Sequence, residues 1–164
     1  MSKKRIYWAL IVVALITIAW WGWGRYQNEQ IFSRFQVGGK KALTAEEFQK
    51  LADILPGKYK ADTYGSTTPE GTLALFIDAL KKGDADLASK YFIPEKQVEY
   101  KVGVQNWTKL NKNIRIADTL SRATETRINK DGTATMGIFE GEKSFMTIFF
   151  IKNSYSGKWL LQNM

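Results

Sequence analysis

The sequence predicts an α+β protein: an N-terminal transmembrane helix, then helices packed on one face of a curved antiparallel sheet of about four strands. Three observations predict it. Ile6–Gly24 is a run of nineteen residues without a charge. Thr68–Phe92, TPEGTLALFIDALKKGDADLASKYF, reads as two amphipathic helices joined by a Lys-Lys-Gly-Asp corner. From Ala123 onward, alternating apolar and polar residues separated by turn signals read as a meander of strands.

The first run follows Ser2-Lys3-Lys4-Arg5. At about 1.5 Å per residue it nearly matches the ~30 Å hydrocarbon core of a bilayer. Trp20, Trp21 and Trp23 cluster at its far end and Tyr7 and Trp8 near its start, where amphipathic rings favour the headgroup layer. The basic tip keeps the N-terminus in the cytoplasm and places the remainder outside. A cleaved signal peptide is the rival reading, with Gly22 and Gly24 as small residues for the cut, but the run is long and ends among tryptophans. A prepilin leader would place a glycine before the run and an acid just inside it, and Ile6–Gly24 has neither. The expectation is therefore residues 1–24 as basic tip and anchor, 25–66 as a juxtamembrane stalk, and 67–164 as the folded domain.

Within the stalk, Thr44 and Glu47 form a capping box, and Phe48, Leu51, Ala52 and Leu55 a stripe. This predicts a short helix over about 44–55, stopped by Pro56-Gly57 and followed by a polar linker, Lys58–Ser66. In the domain, Thr68 caps, Pro69 suits the first helical position, and Leu73, Phe76, Ile77 and Leu80 make one apolar stripe. Gly83 suits the left-handed stop and Asp84 caps a second helix that turns Leu87, Ala88, Tyr91 and Phe92 inward. Pro94 opens a third helix to about Asn111. Asn111–Arg122 reads equally as helix end or strand. Strands follow over Ala123–Asn129, Thr133–Glu140, Ser144–Lys152 and Lys158–Met164. The third is apolar on both faces, with Phe145, Phe149 and Ile151 on one and Met146, Ile148 and Phe150 on the other. That pattern predicts a central strand covered on both sides.

Composition excludes several functions. The chain has no cysteine and no histidine, which removes disulfides, thiol chemistry, histidine bases and zinc sites. The net charge is +8, and at least half of the excess lies in residues 1–66. No basic run with interleaved aromatics occurs in the domain, so no nucleic-acid partner is expected. Phosphate loops, calcium loops, nucleophile elbows and acidic metal spacings are absent. No cofactor is expected.

The stretch 68–92, with its Pro-Glu start, Lys-Lys-Gly-Asp corner and Ala-x-x-Tyr-Phe second helix, resembles small bacterial domains of the nuclear transport factor two-like (cystatin-like) superfamily. The resemblance extends over Thr67–Met164. It implies a cone, with the sheet wrapped round the helices and a pocket between them. Tyr91, Phe92, Phe145, Phe149 and Trp159 would line that pocket for an apolar ligand, or simply fill the core. Some members are isomerase-type enzymes using a pocket carboxylate and a tyrosine. The matching residues would be Asp78, Asp84 or Asp86 with Tyr91 or Tyr100, but each aspartate reads as a cap or a surface charge. The expected function is thus membrane-anchored, extracytoplasmic and non-catalytic binding of a protein, peptide or small apolar ligand. The alternative is a scaffold subunit of an envelope or secretion complex, on layout alone. A homodimer through the sheet face is a further expectation, with Trp107 and Trp159 as its aromatics.

Overall fold

In a computed structural model of the chain, the structure describes residues 3–36, 44–141 and 143–164, with side chains from Leu15 onward. Within the predicted stalk, residues 37–43 lie outside the described residues, as do the side chains of Tyr7 and Trp8. Six α-helices precede a four-stranded antiparallel sheet of order β1-β2-β3-β4. The helices are α1 (Lys3–Gln36), α2 (Ala45–Ala61), α3 (Pro69–Lys81), α4 (Ala85–Ser89), α5 (Gln97–Lys109) and α6 (Asn113–Leu120). The strands are β1 (Thr124–Ile128), β2 (Thr133–Glu140), β3 (Lys143–Lys152) and β4 (Trp159–Asn163).

The predicted run Ile6–Gly24 lies wholly within α1, whose 34 residues make a rod about 51 Å long. Among the described residues, no helix is long and apolar enough to cross a membrane. The side chains of Ile6–Ala14, the first part of the run, fall outside that description.

The second half of α1 is not a free stalk. Ile31 and Phe32 are buried, and Gln36 donates to the carbonyl of Pro94. Lys58 of α2 pairs with Glu29 at 2.7 Å and lies over the Phe32 ring, 4.7 Å from its centroid.

The capping box at Thr44 and Glu47 opens α2 as the sequence predicts, but Pro56-Gly57 does not end it. The helix continues to Ala61 because contacts beyond the proline hold the last turn. Tyr59 donates its hydroxyl to Glu95 at 3.0 Å, and its carbonyl accepts from Asn153 Nδ2 at 2.8 Å. The expected linker then docks along β4. The Trp159 amide donates to the carbonyl of Ser66 at 2.8 Å. Gly65 has φ +89, and a Cβ there would meet the Trp159 carbonyl oxygen at 2.1 Å, so only glycine fits.

The α3–α4 corner follows its sequence signals closely. Thr68 Oγ1 accepts from the Gly71 amide at 3.1 Å, Pro69 is the first helical residue, and Gly83 has φ +69. Asp84 Oδ1 accepts from the Leu87 amide at 2.9 Å. After a 3-10 turn at Pro94–Lys96, α5 buries Tyr100 and Val104. The ambiguous stretch 111–122 is a separate helix, α6. Asn111, at φ 53, turns the chain, and Ala117 and Leu120 then bury against the domain core.

All strand pairs are antiparallel. Ala134, Met136 and Ile138 of β2 face the helices beside Ile148 and Phe150 of β3 and Leu161 of β4. This settles the doubly apolar strand. β3 is central, but only its Ile148/Phe150 face is buried. Phe145 and Phe149 are 55% and 43% exposed. Over Phe145 and Phe149 the expected cover on the second side is absent among the described residues.

Candidate functional site

The five aromatics proposed as pocket lining do not come together. Tyr91, Phe92 and Trp159 are buried core residues, whereas Phe145 and Phe149 stand on the opposite, open side of the sheet. The interior between helices and sheet is filled by the domain's own rings. Phe92 stacks on Tyr100 with centroids 3.6 Å apart and meets Phe76 edge-on at 5.2 Å. Tyr100 donates its hydroxyl to Asn163 Oδ1 at 2.9 Å, and burial pushes its pKa up, as it does for Tyr91. These tyrosines are therefore held neutral as packing and hydrogen-bonding groups.

The aspartates that an isomerase would need are all exposed and engaged. Asp78 pairs with Lys82 at 2.6 Å, Asp84 caps α4, and Asp86 pairs with Lys101 at 2.5 Å. Among the described residues, no three carboxylates gather in a way that could hold a metal ion.

What remains of the space between helices and sheet is an open groove of about 420 Å³ beside α3 and α6. Leu73, Ile77, Leu120 and Met136 form its floor, with Glu70, Asp78 and Lys81 at the rim. A hydrogen bond from Thr126 is the main cause of a lowered pKa at Glu70, so this rim carboxylate is firmly ionised.

The open face of the sheet is a second apolar feature. Across it, Thr135 pairs with Phe149, Gly137 with Thr147 and Phe139 with Ser144. Phe139 folds its ring over Gly137; a Cβ at that glycine would lie 2.5 Å from the ring. Phe139, Phe145 and Phe149 are 36%, 55% and 43% exposed, on a face that also carries Thr135 and Thr147 and, from β1, Glu125 and Arg127. Toward β4 the same face is closed: Leu160, paired with Ile151, is fully buried beneath the docked segment that contains Gly65. Trp159 is enclosed and Trp107 packs against the core, so neither presents itself on this face. Phe139 escaped the sequence reading, although its phase was legible. Ala134, Met136 and Ile138 mark the inward positions of β2, and Phe139 falls between them in the outward series.

Elsewhere on the molecule, α1, α2, α4 and α5 line a half-open cleft of about 420 Å³ with a mixed polar and apolar wall. Asp62 stands at its wall and is only 7% exposed. Its carboxylate accepts from the Tyr64 amide at 2.9 Å and from Gln97 Nε2 at 3.3 Å. Burial raises its pKa, opposed by those hydrogen bonds and by the fields of Lys90 and Lys158. The sequence reading placed Asp62 in a linker. Its neighbours across the cleft come from a helix 35 residues later, and no local pattern announces them.

No protein-family model, curated protein or solved structure matches the chain.

Proposed function

We propose that the chain is a single-pass membrane-anchored domain of the nuclear transport factor two-like kind, held outside the cytoplasmic membrane, that binds a protein partner without catalysis. The observation that carries this reading is the trio Phe139, Phe145 and Phe149 on the uncovered side of the sheet. Three exposed phenylalanines on one face of the sheet are costly in water, and a soluble surface gains little by keeping them. A protein surface recovers that cost by burial, at roughly 25 cal/mol per Å² of apolar area. The filled interior disfavours the alternative of an enclosed apolar ligand.

Two features support the anchor. The single helix α1 is long enough for the hydrocarbon core plus a rigid extension of about 20 Å. At the predicted interface, Trp20, Trp21 and Trp23 are 78%, 71% and 64% exposed, and Arg25 lies 5.7 Å from the centroid of the Trp21 ring. Tryptophans this exposed at that point suit the headgroup layer.

Partner binding is tested on the full chain in its native cells, with photoreactive benzoylphenylalanine in place of Phe145. The expected result is one discrete adduct, at twice the 18.7 kDa chain mass if the partner is a second copy, that disappears with Phe149→Ser. No adduct, or one indifferent to Phe149→Ser, refutes the reading. The native chain has no cysteine, so a single Ser154→Cys substitution reports topology. A membrane-impermeant maleimide is expected to label it in intact cells but not a Ser2→Cys variant.

A further inference from the structure

The cleft between α1, α2, α4 and α5 carries a second reading, independent of the sheet face. Six charged side chains line it: Glu29, Lys58, Asp62, Asp86, Lys90 and Lys101. Four of them satisfy one another, as Lys58–Glu29 at 2.7 Å and Lys101–Asp86 at 2.5 Å. Asp62 and Lys90 are left, one of each sign. Neither forms an ion pair with another described residue, and the gap between them is too wide for one, although the Lys90 charge is felt at Asp62.

The leftover carboxylate needs an explanation. A buried carboxylate whose cations, Lys90 and Lys158, act on it only from a distance is expensive, and two hydrogen bonds fill only part of its acceptor capacity. Its bond to the Tyr64 amide closes a local turn, but an asparagine would close the same turn without burying a charge. The turn accounts for the side-chain shape and not for its ionisation. Lys90, by contrast, reaches the same space from an exposed position on the far wall.

We infer that this cleft binds a small zwitterion, a free amino acid or short peptide, whose ammonium meets the Asp62 carboxylate and whose carboxylate meets the Lys90 ammonium. Both contacts are charge-assisted hydrogen bonds, the strongest kind available to such a cleft. Its volume, about 420 Å³, falls in the range of small-molecule sites. Gln97 holds the Asp62 carboxylate in place from beneath, and the half-exposed Tyr64 ring offers an apolar wall for a ligand side chain.

The test is calorimetric titration of the full chain in a non-ionic detergent with alanine, trialanine, N-acetyl-trialanine and trialanine amide. Alanine or trialanine is expected to bind with a Kd at or below about 1 mM, and which of the two binds tells amino acid from peptide. Blocking either end of the peptide, or replacing alanine by its N-acetyl or amide form, weakens binding about tenfold or more. Asp62→Asn abolishes the penalty for acetylation and Lys90→Gln the penalty for amidation. Lys90 is exposed, so its variant keeps the test valid should Asp62→Asn disturb the fold. Binding survives Phe149→Ser, which separates this site from the sheet face. If neither zwitterion binds up to about 10 mM, or if the blocked forms bind equally well, the inference is overturned.

Discussion

Adjacent phenylalanines on β3 provide the sharpest check on the architecture. Phe150 is fully buried between the helices and the sheet, whereas Phe149, one residue earlier, is 43% exposed on the other face. Truncating an enclosed phenylalanine removes its transfer free energy and leaves a cavity, so Phe150→Ala should cost about 3–5 kcal/mol. Phe149 has about half of its ring surface to lose from cover. Half of the 1.5–3 kcal/mol for full burial gives about 1 kcal/mol for Phe149→Ala. The assay is pulse proteolysis of the full chain across a urea series, which reads loss of the folded domain in the presence of detergent. With a urea dependence of about 1–3 kcal/mol per molar, Phe150→Ala should lower the midpoint by at least about 1 M and Phe149→Ala by about a third as much or less at the same dependence. The protein must be dilute, because a partner bound at the open face would add mass-action stabilisation to Phe149. Equal losses for the two variants would refute the reasoning. A strand displaced by one residue exchanges every inward and outward side chain, and equal losses would mean that the face described as open is not.

Two further outcomes follow from buried polar groups. Thr72 is fully buried, and its hydroxyl donates to the Trp159 carbonyl and accepts from the Ser66 amide, each at 2.9 Å. Thr72→Val keeps the shape but orphans both backbone groups, so it should cost about 2–4 kcal/mol, whereas Thr72→Ser should cost about 1 kcal/mol or less; equal urea midpoints for wild type and the valine variant would contradict this. For Asp62, burial holds the folded pKa above the unfolded one, so folding takes up a proton in the interval between them. Its contribution to stability is then full below the ordinary aspartate value of about 4 and is lost as pH rises through the raised folded value. Asp62→Asn should therefore be more stable than wild type at pH 7, with the two urea midpoints converging as pH falls toward that value. A gap that stays constant or widens on acidification would mean the carboxylate is not penalised by burial.

The parts of this fold that were legible in the sequence are those held by bonds a few residues long. Thr68 reaches Gly71, Asp84 reaches Leu87, and Thr44 and Glu47 serve each other. Each satisfies a helix end from within its own turn, so residue type and spacing suffice. The same holds for β2, where a strict alternation survives because one face alone is buried. Pro56-Gly57 failed as a stop signal for the opposite reason. The cost of a proline inside a helix is local, but the contacts that outweigh it come from Glu29, Glu95 and Asn153, far away in the chain. Asp62 was passed over likewise, since its burial is made by elements that only the folded chain brings together.

The third strand is the instructive case. Its apolar residues on both faces predicted cover on both sides, and the folded domain supplies it on one. Either the second set of phenylalanines is idle, or its cover lies outside the described chain. Idleness is hard to sustain physically. A strand at the centre of an antiparallel sheet needs one apolar face for its core, and threonines already occupy the outward positions Thr133, Thr135 and Thr147 at no cost in water. Phenylalanine at 139, 145 and 149 gives the free domain only partial ring burial, worth about 1 kcal/mol at Phe149, and it leaves an adhesive surface next to the bulged, charged edge strand β1. That edge is protected against pairing while the face is not, so association through ring burial remains open where association through backbone hydrogen bonds is discouraged. The outward face of β3 is therefore where the proposed protein partner is to be sought, and photocrosslinking at position 145 is the experiment that tests for it.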